Sequence, residues 1–321
     1  MTAMKVMRFN DSTDAPALIP DTISVPQAGE GELLIKVRAA GVTPTELRWY
    51  PTTHGPDGAR RSGAIPGHEF SGMVAAVGSL VDPHYLGRSV FGMNDWFADG
   101  ATAEYCIAKP LGVAFKPDAL SHHQAASVPI GALTAWQGLY ERARLRSGES
   151  ILIHGGAGAV GIYAIQLARR TGARIATTAS ARNCEFLRRL GAERVIDYRT
   201  ERFEDDLRDV DVVFDCVGGE TLQRSWSVLR PEGRMVTIAS DSNETQDNRT
   251  KAAFFIVEPK QSQLVEIAQL IDCGELVPFV DGLVPLSDAS AAYLGTAPRL
   301  HGYGKLVIDL PEESRAGPAS S

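Results

Sequence analysis

The spacing of apolar residues along the chain changes near residue 127. From there on, short apolar runs rich in Val and Ile alternate with stretches whose apolar residues recur at helical spacing. Because crossover segments separate the apolar runs, the pattern predicts an α/β fold with a doubly wound parallel sheet. The predicted strands are Ile151–His154, Arg174–Thr178, Arg194–Tyr198, Val210–Cys216, Met235–Ser240 and Ala253–Val257, and the predicted helices cover 159–171, 183–190 and 220–230.

Glycines mark the predicted helix ends in this second part of the chain. Gly172, Gly191 and Gly233 stand where the helical patterns stop, as expected for residues that cap a helix C-terminus. A further helical period covers 262–271. The apolar run Gly304–Asp309 then predicts a strand, which we expect to rejoin the first part of the chain.

The first 125 residues have a different pattern. Short β-rich pieces recur there, and Pro and Gly interrupt them, which predicts an antiparallel, barrel-like β domain. The pieces are Lys5–Phe9, Leu33–Val37, Gly72–Val77 and Ala103–Ile107.

Composition narrows the classes of partner. The 321 residues carry a formal net charge of −7 and contain no basic run, which disfavours nucleic acid. No apolar run approaches the roughly 20 residues that span a bilayer, so we expect no membrane association. The 4 cysteines are widely spaced and form no metal or redox motif, which favours a reducing cytoplasm.

The glycine pattern after the first strand of the predicted parallel sheet is the strongest motif. It reads Gly156-x-Gly158-x-x-Gly161 and lies between a strand and an apolar helix, the context of a dinucleotide-binding turn. The first glycine permits a tight turn, the second lets backbone approach a diphosphate, and the third allows close packing of the helix. Ala159 and Val160 complete the loop at the helix N-terminus, where unpaired N–H groups favour an anion.

The end of the second strand of that sheet indicates which dinucleotide binds. NAD-binding folds carry an acid there that bonds the ribose, but no acid occurs between Ala176 and Arg182. Ser180 and Arg182 stand there instead, and a hydroxyl and a guanidinium can bond a 2′-phosphate. This favours NADP(H). The alternative is that Ser180 caps the next helix and Arg182 is simply solvated.

Several motifs together resemble the medium-chain dehydrogenase/reductase superfamily, and its zinc-free, zeta-crystallin-like quinone oxidoreductase branch in particular. The resemblance implies a GroES-like catalytic domain, formed by residues 1–126 and 260–321, around a Rossmann domain of residues 127–259. It also implies a homodimer. The motifs, in the order of that family, are Gly67-His-Glu-Phe-Ser-Gly72, Thr134-Ala-Trp-Gln137, Gly155–Gly161 and Gly304-Lys305.

Zinc-dependent relatives hold the metal through a cysteine, the histidine of the Gly-His-Glu motif and a third ligand. By the resemblance, Thr43 replaces the cysteine and Ile130 the last ligand, so that only His68 remains. A catalytic zinc needs three protein ligands, and we therefore predict no metal. His68 and Glu69 are expected to satisfy buried backbone groups instead.

Without a metal, the resemblance implies hydride transfer from NADPH to a quinone or an α,β-unsaturated carbonyl. Thr43 and Tyr50 are the candidate catalytic residues, Thr43 standing where many relatives carry asparagine. For Tyr50, His54, Trp96 and Phe97, ordinary packing or solvation is an equal alternative. The cofactor contacts that the resemblance implies, beyond the loop, are Thr134 at the nicotinamide, Phe255, Ile256 and Val257 at its carboxamide, Val217 and Ser240 along the cleft, Tyr198 beside Ser180 and Arg182, and Lys305 near the pyrophosphate or ribose.

Two alternatives to this function remain open. The chain could be an enoyl reductase that acts on a CoA-bound or carrier-bound intermediate, because pocket loops differ most within a fold. It could also be a non-catalytic NADPH-binding structural or sensor protein, because binding and turnover are separable.

The assignment of the cofactor predicts the effect of one substitution. Arg182→Ala should raise the KM for NADPH strongly and leave the KM for NADH nearly unchanged, because only NADPH carries the 2′-phosphate. Steady-state kinetics with both cofactors measures this, and equal effects on both would remove Arg182 from phosphate recognition.

Overall fold

The computed structural model describes residues 2–10, 17–243 and 245–311. Short helices of the 3₁₀ type cover Pro44–Arg48, Pro83–Tyr85, Pro110–Gly112, Ala181–Asn183, Ser240–Asn243 and Leu286–Asp288, and Gln137–Arg142 is a π-helix. The α-helices are α1 (Tyr50–Thr53), α2 (His122–Ala126), α3 (Pro129–Trp136), α4 (Gly161–Thr171), α5 (Cys184–Leu190), α6 (Phe203–Asp206), α7 (Gly219–Ser225), α8 (Asn248–Ala253), α9 (Gln261–Asp272) and α10 (Ala289–Tyr293). The strands are β1 (Ala3–Asn10), β2 (Ala17–Ser24), β3 (Leu33–Gly41), β4 (Glu69–Val77), β5 (Ser89–Met93), β6 (Tyr105–Ala108), β7 (Val113–Phe115), β8 (Ser150–His154), β9 (Arg174–Ala179), β10 (Arg194–Asp197), β11 (Val210–Asp215), β12 (Leu229–Thr237), β13 (Val280–Pro285) and β14 (Lys305–Asp309).

The second part of the chain forms the predicted parallel sheet. Its strand order is β10-β9-β8-β11-β12, so the chain starts in the middle and winds outwards in both directions. This is the 3-2-1-4-5 order of a Rossmann sheet, with its switch point between β8 and β11. The α/β, doubly wound fold class is therefore confirmed.

Two local predictions in this sheet are wrong. Ala253–Val257 is no strand: α8 ends at Ala253, and Phe254 makes a single parallel bridge to Thr237. Gly233 ends no helix, because it lies inside β12, where an added Cβ would fall 3.0 Å from the Arg230 carbonyl oxygen. Gly172 and Gly191 do end helices, with φ of 81° and 127°.

The first part of the chain forms the β-rich unit. Strands β14, β3, β4, β5 and β7 follow one another as antiparallel neighbours, with β6 also on β3 and β13 parallel to β14. The return of the C-terminal strand is confirmed, because Val307 of β14 faces Gly41 of β3. This is the GroES-like domain that the resemblance implied.

Two large buried clusters form the cores of the two parts. One is built around β3 and β4 and includes Phe70 and Ile308. The other surrounds β8 and α4, and Leu264 and Ile267 of α9 belong to it. The domain division at residue 260 stays a prediction.

None of the helices in the described ranges is long and apolar enough to cross a membrane.

Candidate cofactor and active site

The turn after β8 is built from glycines that touch neighbouring backbone. Gly155 has φ of 75°, in the left-handed region, so the sharpest part of the turn lies one residue before the first glycine of the motif. A Cβ added at Gly156 would lie 2.1 Å from the Thr177 hydroxyl, and one at Gly161 would lie 2.3 Å from the Gly155 carbonyl oxygen. Both positions therefore exclude any side chain.

Gly158 differs from these two glycines. A Cβ there would meet only the Gly155 carbonyl oxygen, at 3.2 Å, and would otherwise point into open space. Within the described residues, the N–H groups of Ala159 and Val160 donate to no protein acceptor. Val160 precedes α4 without a capping side chain. The loop thus offers free donors beside a gap, which fits the predicted diphosphate site.

A cavity of about 760 Å³ opens from this loop. It brings together the predicted residues Gly158, Ala159, Val160 and Gly161 of the loop, Ser180, Arg182 and Tyr198 beyond β9 and β10, and Val217 beyond β11. The cavity lies at the carboxyl ends of the strands, at the switch point of the sheet, where ligands bind in open α/β folds.

The structure excludes a capping role for Ser180 and leaves Arg182 at the surface. Ser180 is buried and precedes a 3₁₀ helix, but its hydroxyl makes no capping bond. Arg182 is exposed, and within the described part of the chain its guanidinium has no hydrogen bond and no ion pair. An unpaired cation at the rim of this cavity suits an anionic group such as the 2′-phosphate.

Sequence reasoning missed the segment that closes this end of the cavity. Arg299 and Gly302, which precede β14 in the chain, line the cavity there, and only folding brings them to it. Buried Asp281 holds this segment: its carboxylate accepts from Arg299 Nε, from the His301 N–H at 2.6 Å and from the Gly302 N–H at 2.8 Å. The acid on β13 and the arginine 18 positions later are the only sequence signal among these residues, and nothing in their spacing indicates a pair.

His154 is a second lining residue that the motif did not indicate. Its ring lies between the hydroxyls of Thr178, at 3.0 Å, and Ser225, at 2.8 Å. Burial, assisted by the Arg224 guanidinium, lowers the pKa of His154 to about 3. The ring is therefore neutral near pH 7 and acts as a positioning group between β9 and α7.

Cys216 also lines the cavity, directly after β11. Burial, and to a smaller extent the neighbouring Asp215 carboxylate, raises the pKa of this thiol far above its ordinary value. Asp215 itself fixes the loop that follows, because its carboxylate accepts from the N–H groups of Val217 and Gly218 at 3.1 Å and 3.0 Å.

The predicted nicotinamide-side residues lie in different environments. Thr134 is buried, and its hydroxyl donates to the Ile130 carbonyl one turn earlier at 2.6 Å. Phe255 is buried and donates its N–H to Thr237, whereas the Ile256 side chain is 60% exposed. The Val257 carbonyl accepts from the Trp96 indole at 3.2 Å. Ser240 begins a 3₁₀ helix, and its side chain lies outside what the structure describes.

Trp96 connects the two parts of the chain on this side. Besides its bond to Val257, its ring meets Trp49 edge-on with centroids 5.1 Å apart and lies 5.4 Å from the His68 ring.

The two candidate catalytic residues, Thr43 and Tyr50, share no hydrogen-bond or ring-contact partner among the described residues. Tyr50 is 56% exposed and stacks on His54 of its own loop, whereas Thr43 is half-buried beside β14.

The Lys305 side chain is held among buried polar groups of the β-rich unit. It is 3% exposed and forms an ion pair with buried Glu69, and its ammonium donates to the Thr43 hydroxyl at 3.4 Å. The residue before it, Gly304, does reach the loop, since its N–H donates to the Ala157 carbonyl at 3.1 Å. A contact of Lys305 with the diphosphate would require breaking a buried ion pair.

His68 and Glu69 bond buried backbone groups, as the sequence indicates. Glu69 accepts from the Ile130 N–H at 3.0 Å, and His68 Nε2 lies 3.2 Å from the Ala98 carbonyl. His68 Nδ1 pairs with Glu46, which also accepts from the Gly67 N–H at 2.7 Å. Burial opposes charge on His68, but the Glu46 carboxylate outweighs it and raises the pKa. Across the described ranges, no three His, Cys, Asp or Glu side chains converge as a metal site would need.

A glycine turn at the switch point of a parallel sheet, next to a β-rich unit that takes back the C-terminus, defines a two-domain NAD(P)-binding dehydrogenase or reductase. A family model described as an alcohol dehydrogenase GroES-like domain matches residues 29–118, and one described as zinc-binding dehydrogenase matches residues 190–308.

Individual relatives narrow the assignment to one branch of this class. It is 33% identical to 2-methylene-furan-3-one reductase from Solanum lycopersicum, over 95% of this chain and 79% of the relative. It is 32% identical to the chloroplastic NADPH-dependent alkenal/one oxidoreductase from Arabidopsis thaliana, with the same two coverages of 95% and 79%. The structure of a quinone oxidoreductase from Coxiella burnetii superposes with a TM-score of 0.85 at 31% identity, covering 96% of this chain and 100% of that one. The chain belongs to the medium-chain dehydrogenase/reductase superfamily, in its quinone oxidoreductase branch.

The contacts of the glycine turn predict different outcomes for two alanine substitutions. Gly156→Ala should lower the free energy of unfolding by about 1–3 kcal/mol, because the new methyl group meets the buried Thr177 hydroxyl. Gly158→Ala should leave the stability of the free protein nearly unchanged and weaken NADPH binding, and a bulky residue there should abolish it. Thermal unfolding and NADPH fluorescence titration of the variants measure both quantities.

Retained NADPH affinity with a bulky side chain at Gly158 would contradict the proposed loop geometry. Equal loss of stability in the two alanine variants would contradict the assignment of Gly158 to ligand approach.

Proposed function

We propose that this protein is an NADPH-dependent, metal-independent oxidoreductase that reduces quinones or α,β-unsaturated carbonyl compounds. The observation that carries the proposal is the cavity at the glycine turn, with free N–H donors at one end and unpaired Arg182 at the other. The printed names of two relatives, an alkenal/one oxidoreductase that is NADPH-dependent and a methylene-furanone reductase, support the class of substrate.

NADPH, when bound, supplies a hydride; the chain's own residues hold and orient it. We assign the diphosphate to the N–H groups of Ala159 and Val160, where the start of α4 favours negative charge. The adenosine phosphate is assigned to Ser180, Arg182 and Tyr198, which share one cavity end. Val217, Ile256 and Thr134 are assigned to the nicotinamide side, next to the Trp96–Val257 bond that joins the two parts of the chain.

A conjugated acceptor needs alignment and modest stabilisation of negative charge on oxygen rather than a Lewis acid. This supports the metal-independent proposal, together with the engagement of both His68 ring nitrogens by Glu46 and Ala98. The aromatic pair Trp49 and Trp96 is proposed as the wall against which a flat acceptor lies.

The compartment and the assembly belong to the proposal as well. The four cysteines are all free, which supports a reducing cytoplasm. We propose a homodimer, since β12 ends the parallel sheet and, within the described ranges, its outer side pairs only at the Thr237–Phe254 bridge, so that the rest of this edge could meet its counterpart.

A substrate panel tests the function. With NADPH, absorbance at 340 nm should fall on addition of a simple enone or a quinone, and prior treatment with EDTA should leave the rate unchanged because no metal takes part. Turnover confined to a CoA thioester would favour the enoyl reductase alternative. Binding of NADPH without oxidation by any acceptor would favour the non-catalytic binder, and loss of rate on chelation would contradict the metal-free proposal.

A further inference from the structure

The buried charges around Lys305 form a cluster that cofactor binding does not use. It consists of Thr43, Glu46, His68, Glu69 and Lys305. Lys305 pairs with Glu69 and donates to Thr43. Among these five side chains Thr43 alone is partly exposed, whereas the other four are buried. Thr43 is therefore the residue through which the cluster meets the outside.

The backbone fixes Thr43 and Lys305 against each other. The Val42 N–H donates to the Leu306 carbonyl at 3.0 Å, so that the end of β3 holds the start of β14. Gly41 leaves the space for Glu69, because a Cβ at Gly41 would lie 2.6 Å from the Glu69 carboxyl carbon. Thr43 precedes the helix Pro44–Arg48 without making a capping bond, and its hydroxyl proton has no acceptor among the described residues.

Residues next to members of the cluster, or to their hydrogen-bond partners, contact the cofactor loop at two places. Gly304, next to Lys305, donates to Ala157 of the loop at 3.1 Å. Glu69 accepts from Ile130 of α3, and the next residue of that helix, Gly131, packs so closely that a Cβ would lie 2.3 Å from the Ala159 carbonyl oxygen. These contacts connect the cluster, and with it Thr43, to the loop at which the hydride donor is proposed to bind.

We propose that Thr43 and Lys305 form a proton relay to the reduced substrate. This inference rests on the proposed function. Hydride addition to the β-carbon of an enone leaves an enolate, which needs a proton at its α-carbon. The Thr43 O–H bond breaks as the new C–H bond forms, and Lys305 replaces the hydroxyl proton from its ammonium group. The neutral amine then takes a proton from water before the next turnover.

The surroundings of Lys305 suit a group that gives up and regains a proton near neutral pH. Burial lowers the pKa of Lys305 to about 7, and the Glu46 carboxylate opposes this shift. Lys305 and its neighbours in the cluster come from several elements: Glu69 from β4, His68 directly before it, Glu46 from the 3₁₀ helix Pro44–Arg48 and Thr43 directly before that helix. Tyr293 from α10, whose pKa burial raises, lies against them. A positioned acid of this kind contributes about 10²-fold or more to a rate.

The test uses 2-methylcyclohex-2-enone with NADPH in D₂O. A positioned donor delivers the solvent-derived deuteron to one face of the α-carbon, so the wild-type product should form with one α-configuration in excess. Thr43→Val should lower kcat about 100-fold and bring the two configurations close to equal amounts. Thr43→Ser keeps the hydroxyl and should restore both, and Thr22→Val, on exposed β2, should leave both unchanged.

The role of Lys305 is tested with a double variant, so that no buried charge is left without a partner at Glu69. The double variant Lys305→Met with Glu69→Gln removes both charges and should lower kcat as far as Thr43→Val does. Adding Thr43→Val to it should cause no further loss, because the residues act in one path. Lys36→Met, at an exposed lysine of β3, is the matched control. NADPH affinity, measured by fluorescence, should stay within twofold of wild type in every variant.

Two results would overturn the relay while leaving the function in place. One is the same excess of one α-configuration in the products of the wild-type protein and of Thr43→Val, even if kcat falls, since Thr43 would then act without delivering the proton. The other is additive losses from Thr43→Val and the Lys305/Glu69 double variant. If the wild-type protein reduces neither an enone nor a quinone, the proposed function itself fails, and the relay falls with it.

Discussion

Close packing at the turn after β8 is the constraint on which the rest of the site depends. Gly156 and Gly161 leave no room for a Cβ because Thr177 and the Gly155 backbone occupy that space. Gly131 of α3 presses on the same loop from the other side, against the Ala159 carbonyl. The loop that offers its N–H groups to a ligand is therefore fixed by close packing before any ligand arrives, so that binding costs little ordering of the protein.

The segment that leads into the C-terminal strand β14 connects the cofactor cavity to the β-rich unit. On its way to β14, the chain passes the cofactor cavity at Arg299 and Gly302, touches the glycine loop at Gly304 and then buries Lys305 against Glu69. Asp281 holds the part at Arg299 and Gly302, and pairing with β3 holds β14. One continuous segment thus links the adenosine end of the cavity to the buried charges beside Thr43.

Local patterns predicted the fold well and the polar contacts poorly. The glycine turn and the order of strands and helices could be found because each is expressed in residues close together in the sequence, whereas the return of the C-terminal strand to β3 was supported by the family resemblance. The strand predicted at Ala253–Val257 was wrong because an apolar run after a helix occurs in strands and in buried loops alike. The Lys305–Glu69 pair spans 236 positions, and nothing local indicates which carboxylate a buried lysine will meet. Arg299 was missed for the same reason, since only the folded position of Asp281 brings it to the cavity.

Cys216 has a consequence for an enzyme of this kind. Enones and quinones are electrophiles that alkylate cysteine, and the species that reacts is the thiolate rather than the thiol. Burial and the Asp215 carboxylate keep the Cys216 thiol protonated at the rim of the cavity. The cofactor cavity therefore carries a sulfur atom that resists alkylation by electrophiles of the kind that the enzyme consumes.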